Sequence, residues 1–181
     1  IMARWPNAKF SDGTIWDNDN YWAKGTIDDD ENAYSNGTII DDPYTNSAGT
    51  LISLSSQGFD LDEANKEAIA ILNLGSFRTW SRLVTNHSGN TFNYATVPSW
   101  KTKHHYYYFE GRKEFLDQEG EWWVDTYNNK DSLYYVAGSG VDPNKLAFRG
   151  KVQSYAFSVN ASEYLQIKNL EFFATTVYFR D

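Results

Sequence analysis

Between residues 115 and 172 the chain is cut into short β-rich runs by polar turns, at intervals that leave little room for helices. The runs are 121–125, 132–136, 145–148, 155–159, 164–167 and 170–173. Their separators are Asn128-Asn129-Lys130-Asp131, Gly138-Ser139-Gly140, Asp142-Pro143-Asn144 and Asn160-Ala161-Ser162. These are turn residues for physical reasons. Gly reaches positive φ, Pro pre-sets φ, and Asn, Asp and Ser bond their own backbone. The last three runs recur about every eight residues. Strands this short cannot bury both faces alone and must stack on neighbours. The expectation is strand and turn throughout, parallel pairing among the later runs, and no long helix within 132–178.

Upstream, residues 1–66 are polar, loop-rich and acidic, with short strands expected at 37–40 and 50–54. Residues 60–66 have acids early and Lys66 late, which suits a helical turn or two. Residues 68–74 read as a buried strand, a helix being the alternative on Ala and Leu content that Gly75 stops early; 77–84 read as an alternating strand carrying Arg78, Trp80 and Arg82 on one side. Ser88-Gly89-Asn90 is a hairpin turn with its return strand at 91–96. Residues 104–109 form the next strand. Trp122 and Trp123 point to opposite faces of theirs, one toward the core.

The net charge is −8 and the sequence pI about 4.8, which argues against general nucleic-acid binding. No window of apolar residues is long enough for a transmembrane helix. The chain opens in mid-phrase at Ile1-Met2-Ala3 without a signal-peptide pattern, and it reads as a piece of a longer product. Cysteine is absent, which excludes disulfides and thiolate metal sites. Aromatics reach 17%. β structure favours them, and the surplus of rigid, amphipathic Trp and Tyr suits a binding face.

Two constellations could carry chemistry. The acidic loops place Asp12, Asp17, Asp19, Asp28, Asp29, Asp30 and Glu31 where hard oxygen ligands could hold calcium. The EF-hand register fails, because Ala33 stands at the glycine position and Ile39 at the bidentate glutamate. Solvated carboxylates are the default and a calcium site of another geometry the alternative; no other cofactor is expected. The basic-aromatic cluster comprises Arg78, Trp80, Trp100, Lys101, Lys103, His104, His105 and Tyr106, with Arg82, Arg112 and Lys113 around it. Cations bond carboxylate or sulfate, and aromatics stack on sugar faces, so this cluster is the candidate carbohydrate-binding site. Its alternative is a solvent-exposed hairpin offsetting the acidic remainder. His104 and His105 face opposite sides of a strand and cannot chelate one metal together. There is no nucleophile elbow, P-loop or dinucleotide fingerprint.

The phrases Leu116-Asp117, Gly120-Glu121-Trp122-Trp123-Val124-Asp125, Leu133-Tyr134-Tyr135 and Asp142-Pro143-Asn144 occur in that order. With the coil-like stretch 164–172 and Ala3-Arg4-Trp5-Pro6-Asn7, they resemble the opening of the right-handed parallel β-helix of pectate-lyase-like polysaccharide lyases and glycosidases. The resemblance implies an all-β chain: a β-rich, sandwich-like module over 1–110 packed on the first β-helix coils over 111–181. It implies an extracellular or periplasmic setting and a polysaccharide partner, with the cationic cluster favouring anionic glycans. The family's catalytic groups lie on later coils, so the chain is expected to contact glycan without being catalytic alone. A small complete lyase or glycosidase, and a structural or adhesion module, are the alternatives. Aromatic residues continue to Phe179, so self-association through the C-terminal segment is also expected.

Overall fold

The computed structural model describes residues 1–26, 37–64, 66–75, 78–97, 105–125, 131–151, 154–172 and 175–180. The strands are β1 (Arg4–Trp5), β2 (Ala23–Lys24), β3 (Thr38–Ile40), β4 (Tyr44–Thr45), β5 (Leu51–Ile52), β6 (Ile69–Asn73), β7 (Thr79–Ser88), β8 (Thr91–Tyr94), β9 (Tyr106–Glu110), β10 (Trp122–Asp125), β11 (Ser132–Tyr135), β12 (Phe157–Asn160) and β13 (Val177–Arg180). Helical structure among the described residues is confined to short 3₁₀ turns at Thr14–Trp16, Lys113–Phe115 and Pro143–Lys145. The chain is therefore all-β. The helical turn expected over 60–66 is, among the described residues, no helix but a hydrogen-bonded turn, with Lys66 N donating to Glu63 O at 2.9 Å and Lys66 Nζ on Glu63 Oε1 at 2.7 Å.

The chain divides into two compact units, Ile1–Val141 and Asp142–Asp181. Residues 111–141, which the sequence groups with the C-terminal coils, thus belong to the first unit. Phe115 is buried in that unit's core, Ala3 N donates to Trp122 O at 2.8 Å, and Trp123 Nε1 donates to Gly111 O at 3.1 Å.

In the first unit the sandwich-like expectation resolves into one antiparallel sheet of order β1-β9-β6-β7-β8-β3, with β2 also on β9. The β4–β5 and β10–β11 hairpins stand as separate sheets. Strand β6 alternates half-buried and buried residues because it is central, with β7 on one side and β9 on the other. Ala70 and Leu72 point inward from β6, beside Val84, Phe92, Tyr94, Tyr107 and Phe109 from its neighbours. The β7–β8 turn is Gly89-Asn90, with Ser88 paired to Thr91 and Gly89 at φ 62°. A bulge between Val84 and Asn86 shifts the register and adds local twist.

The sheet rolls until its two ends meet at a bridge, Gly25–Asp41, and among the described residues no ladder closes it. There Thr26 N donates to Ile40 O and Asp42 N to Lys24 O, both at 2.8 Å. The approach is close enough to require glycine, since a Cβ on Gly25 would lie 2.7 Å from Ile39 Cγ2. The interior at this junction is polar. The Tyr107 hydroxyl donates to Asp41 Oδ1, and Leu54 N donates to Asp41 Oδ2 at 2.7 Å. Burial pushes the Asp41 carboxyl above its ordinary value, while these two bonds act in the opposite direction.

In the second unit β12 and β13 run parallel, Phe157 opposite Val177 and Asn160 opposite Arg180. The partners are 20 positions apart in the sequence, and no helix lies between them among the described residues. The expected parallel pairing is present, at a spacing of one long loop instead of eight residues. The runs at 145–148 and 164–167 are not strands. Nor are residues 170–172, and residue 173 lies outside the described residues. For the runs after 160 the reason is conformational: Ala161, Tyr164 and Asn169 hold φ of 46°, 58° and 60°, which interrupts an extended chain. Among the described residues no β-helix of stacked regular coils is formed; the strand pairs other than β12–β13 are antiparallel, and one isolated bridge, Met2–Trp122, is parallel.

Candidate functional site

Strand register decides which of the sequence's candidate residues can act together. Directly opposed residues share a face. Trp80 is opposite Leu72, which is opposite Tyr107, so Trp80 faces inward and packs against the core. Tyr106 is opposite Asn73 and so belongs to the outer face. The sheet thus puts Trp80 and Tyr106 on opposite sides. Arg82 lies 5.4 Å from the Trp80 ring and donates to Ala95 O and Ser81 O, while Arg78 is exposed ahead of β7. His105 Nδ1 is hydrogen-bonded to Thr26 O. Trp100, Lys101, Lys103 and His104 lie outside the described residues.

The other two surrounding cations are engaged as well. Arg112 is buried, with Nη2 at 3.1 Å from Glu63 and 2.9 Å from Glu114 and Nη1 on Lys66 O. Lys113 sits 4.5 Å from the Tyr134 ring.

What the outer face does assemble is a surface around Tyr106. The β2–β9 pairing sets Lys24 opposite Tyr106. Lys24 Nζ lies 4.3 Å from the Tyr44 ring centroid and 5.8 Å from that of Tyr106. The Tyr106 hydroxyl donates to Asp19 Oδ1 at 2.7 Å, and the Tyr44 hydroxyl to Trp22 O at 2.6 Å. Asn20 donates to Asp17 through its backbone N and Nδ2, and its Oδ1 accepts from Ser47 N at 3.0 Å. Trp16 stands beside this loop, 77% exposed.

Burial and Asp19 push the Tyr106 phenol up to about 12. Burial, then Asp17, Asp19 and Tyr106, push Tyr44 higher still. Both phenols therefore stay protonated and donate near neutral pH. Aromatic rings flanked by carboxylate and amide oxygens can stack on a sugar ring and accept from its hydroxyls.

The loop that supplies Asp17, Asp19 and Asn20 is anchored from beneath by Arg4. This guanidinium is fully buried, 3.6 Å from the Tyr108 ring centroid and 5.6 Å from that of Trp22. Its Nε donates to Pro6 O at 2.9 Å and its Nη2 to Tyr21 O at 3.0 Å. Burial pushes its pKa down to about 10 while Tyr108, Glu110 and Glu121 act to raise it, so it remains a cation at neutral pH. A desolvated cation over an aromatic face is worth about 2 kcal/mol. Nothing in the sequence marks Arg4 as buried.

For calcium, Asp28, Asp29, Asp30 and Glu31 lie outside the described residues. Asp12 accepts from Thr14 N at 3.1 Å, and Ile39, the residue at the EF-hand glutamate position, is a core residue of β3. Among the described residues no group of three or more His, Asp or Glu is arranged to hold a metal. No described helix is long and apolar enough to cross a membrane.

Fold and surface together define an all-β protein with an aromatic, carboxylate-flanked outer face. No family model matches the sequence, and comparison with curated proteins and with solved structures finds no match either.

Proposed function

We propose that this chain is a glycan-contacting part of a carbohydrate-active protein of the parallel β-helix kind, working outside the cytoplasm and not catalytic by itself. The observation that carries the reading is the Tyr106–Asp19 pair with Tyr44 and Lys24 beside it. Two rings and a carboxylate oxygen, held by a loop anchored through Arg4, are preorganised for a hydroxyl-rich planar ligand. The parallel β12–β13 pair, with no helix among the described residues between its strands, supports the β-helix kinship. Charge selects the glycan. The surface carries Asp17 and Asp19 against Lys24, in a chain of net −8, and so repels polyuronates. Neutral glycans are therefore the ligands, in place of the anionic ones that the cationic cluster suggested.

Affinity electrophoresis tests this in gels containing xylan, mixed-linkage glucan, alginate or pectate. Wild type is retarded by a neutral polysaccharide, and Tyr106→Ala, folded by circular dichroism, loses at least about five-fold in affinity, as expected for a lost stacking contact of about 1 kcal/mol. Retardation by uronates alone, or unchanged binding by Tyr106→Ala, would overturn the reading.

A further inference from the structure

Among its described residues the second unit has no core. None of its described residues between 142 and 180 is buried. Leu165, Leu170 and Phe172 are exposed, with Tyr164 at 95% and Phe179 at 60%. Yet the unit holds ordered aromatic contacts, Tyr155 on Tyr178 at 5.1 Å and Phe157 edge-on to Phe172 at 5.7 Å. Its sheet is two parallel strands that pair with nothing else among the described residues. Parallel strands are otherwise found covered on both faces, and a two-stranded sheet alone is marginal in water. Apolar exposure on this scale marks an interface.

Backbone direction and charge identify what fits there. Ala161 N donates to Arg180 O at 3.0 Å, so at Arg180 the backbone of β13 faces β12. Backbone groups alternate sides along a strand, so Val177 and Phe179 turn their N–H and C=O to the open edge. The unit carries five Lys and Arg against four Asp and Glu, a net +1 where the rest of the chain carries −9. With a net charge near zero, it offers a second copy far less like-charge repulsion than the acidic remainder does. A two-fold axis brings identical strand edges together antiparallel.

We propose that the C-terminal unit is a self-association surface: a second copy of this chain adds its β13 antiparallel to β13 through the Val177 and Phe179 edge, and the exposed aromatics of the two copies cover each other. The inference uses none of the residues of the Tyr106 surface, which belong to the first unit.

Sedimentation velocity over a hundred-fold concentration range, with hydrogen–deuterium exchange at both ends of the range, tests it. Wild type moves from the 20.8 kDa chain mass toward twice that mass, and amides at 177–180 gain protection as it does. Phe179→Pro, which removes an edge donor, and Phe179→Lys, which adds charge and keeps the backbone, both stay at the monomer mass, with exchange at β6 and β9 unchanged. A wild type that stays monomeric throughout, protected at 177–180 or not, overturns the proposal. So do variants that still dimerise, since the contact then lies elsewhere.

Discussion

Tyr107→Phe removes one hydroxyl from a fully buried site and tests whether Asp41 pins the junction of the rolled sheet. In the wild type that hydroxyl and Leu54 N occupy the two Asp41 oxygens at the bridge where the sheet ends meet. A hydrogen bond to a charged group is worth about 1.5–3 kcal/mol, and one to a neutral group about 0.5–1.5 kcal/mol. Asp41 has its carboxyl raised by burial, so its contribution to stability is fully present below the ordinary value of 3.8 and is lost as pH rises through the folded-state value. Removing the Tyr107 bond, which acts to lower that value, raises it further. The loss in the variant therefore grows with pH. At about 2–4 °C per kcal/mol, the melting temperature falls by roughly 3–12 °C at pH 7 and by about half as much or less near pH 3.5. Thermal and urea unfolding followed by tryptophan fluorescence measure this, with wild type at each pH as the reference. Equal losses at both pH values, or no loss, would refute the role given to Asp41.

Three further substitutions probe the rolled sheet by urea denaturation. Phe92→Ala opens a cavity among Tyr94, Tyr107 and Phe109, whose rings lie 4.9–6.0 Å away, and is expected to cost about 3–5 kcal/mol. Gly37→Ala forces a side chain onto a φ of +85° with its Cβ 2.6 Å from Tyr94 O, and is expected to cost at least about 1–2 kcal/mol. Leu83→Lys on the outer face, at 54% exposure, should change stability by less than about 0.5 kcal/mol. A large loss there would mean that Leu83 is covered.

The local structure was legible wherever a single segment decides it. The apolar run at 68–74 suits a helix by its Ala and Leu content but is too short before Gly75, and it forms the central strand; Ser88-Gly89-Asn90 named its own hairpin. What escaped was pairing between distant segments. Tyr106 meets Asp19 across 87 positions, and no local pattern announces that β2 will lie beside β9. The same register turned Trp80 inward, away from Tyr106, although both looked like binding residues. Alternation shows that a strand has two faces, but only its neighbours show which one is the inside. Arg112 was misjudged, and the burial of Arg4 went unmarked, for a related reason. Charge reads as surface until partners such as Glu63, Glu114 and the Tyr108 ring are in place. In the C-terminal unit the composition suited strands at 145–148 and 164–167, yet left-handed residues at Tyr164 and Asn169 cut the later runs short.

The most direct test of the glycan reading is a crystal structure of this chain soaked with a neutral xylo- or gluco-oligosaccharide. The account predicts a sugar ring against Tyr106 and Tyr44, with a hydroxyl donating to Asp19. A sugar bound instead beside Arg78 and Trp80, or an unoccupied Tyr106 surface under conditions where the gels show binding, would contradict it.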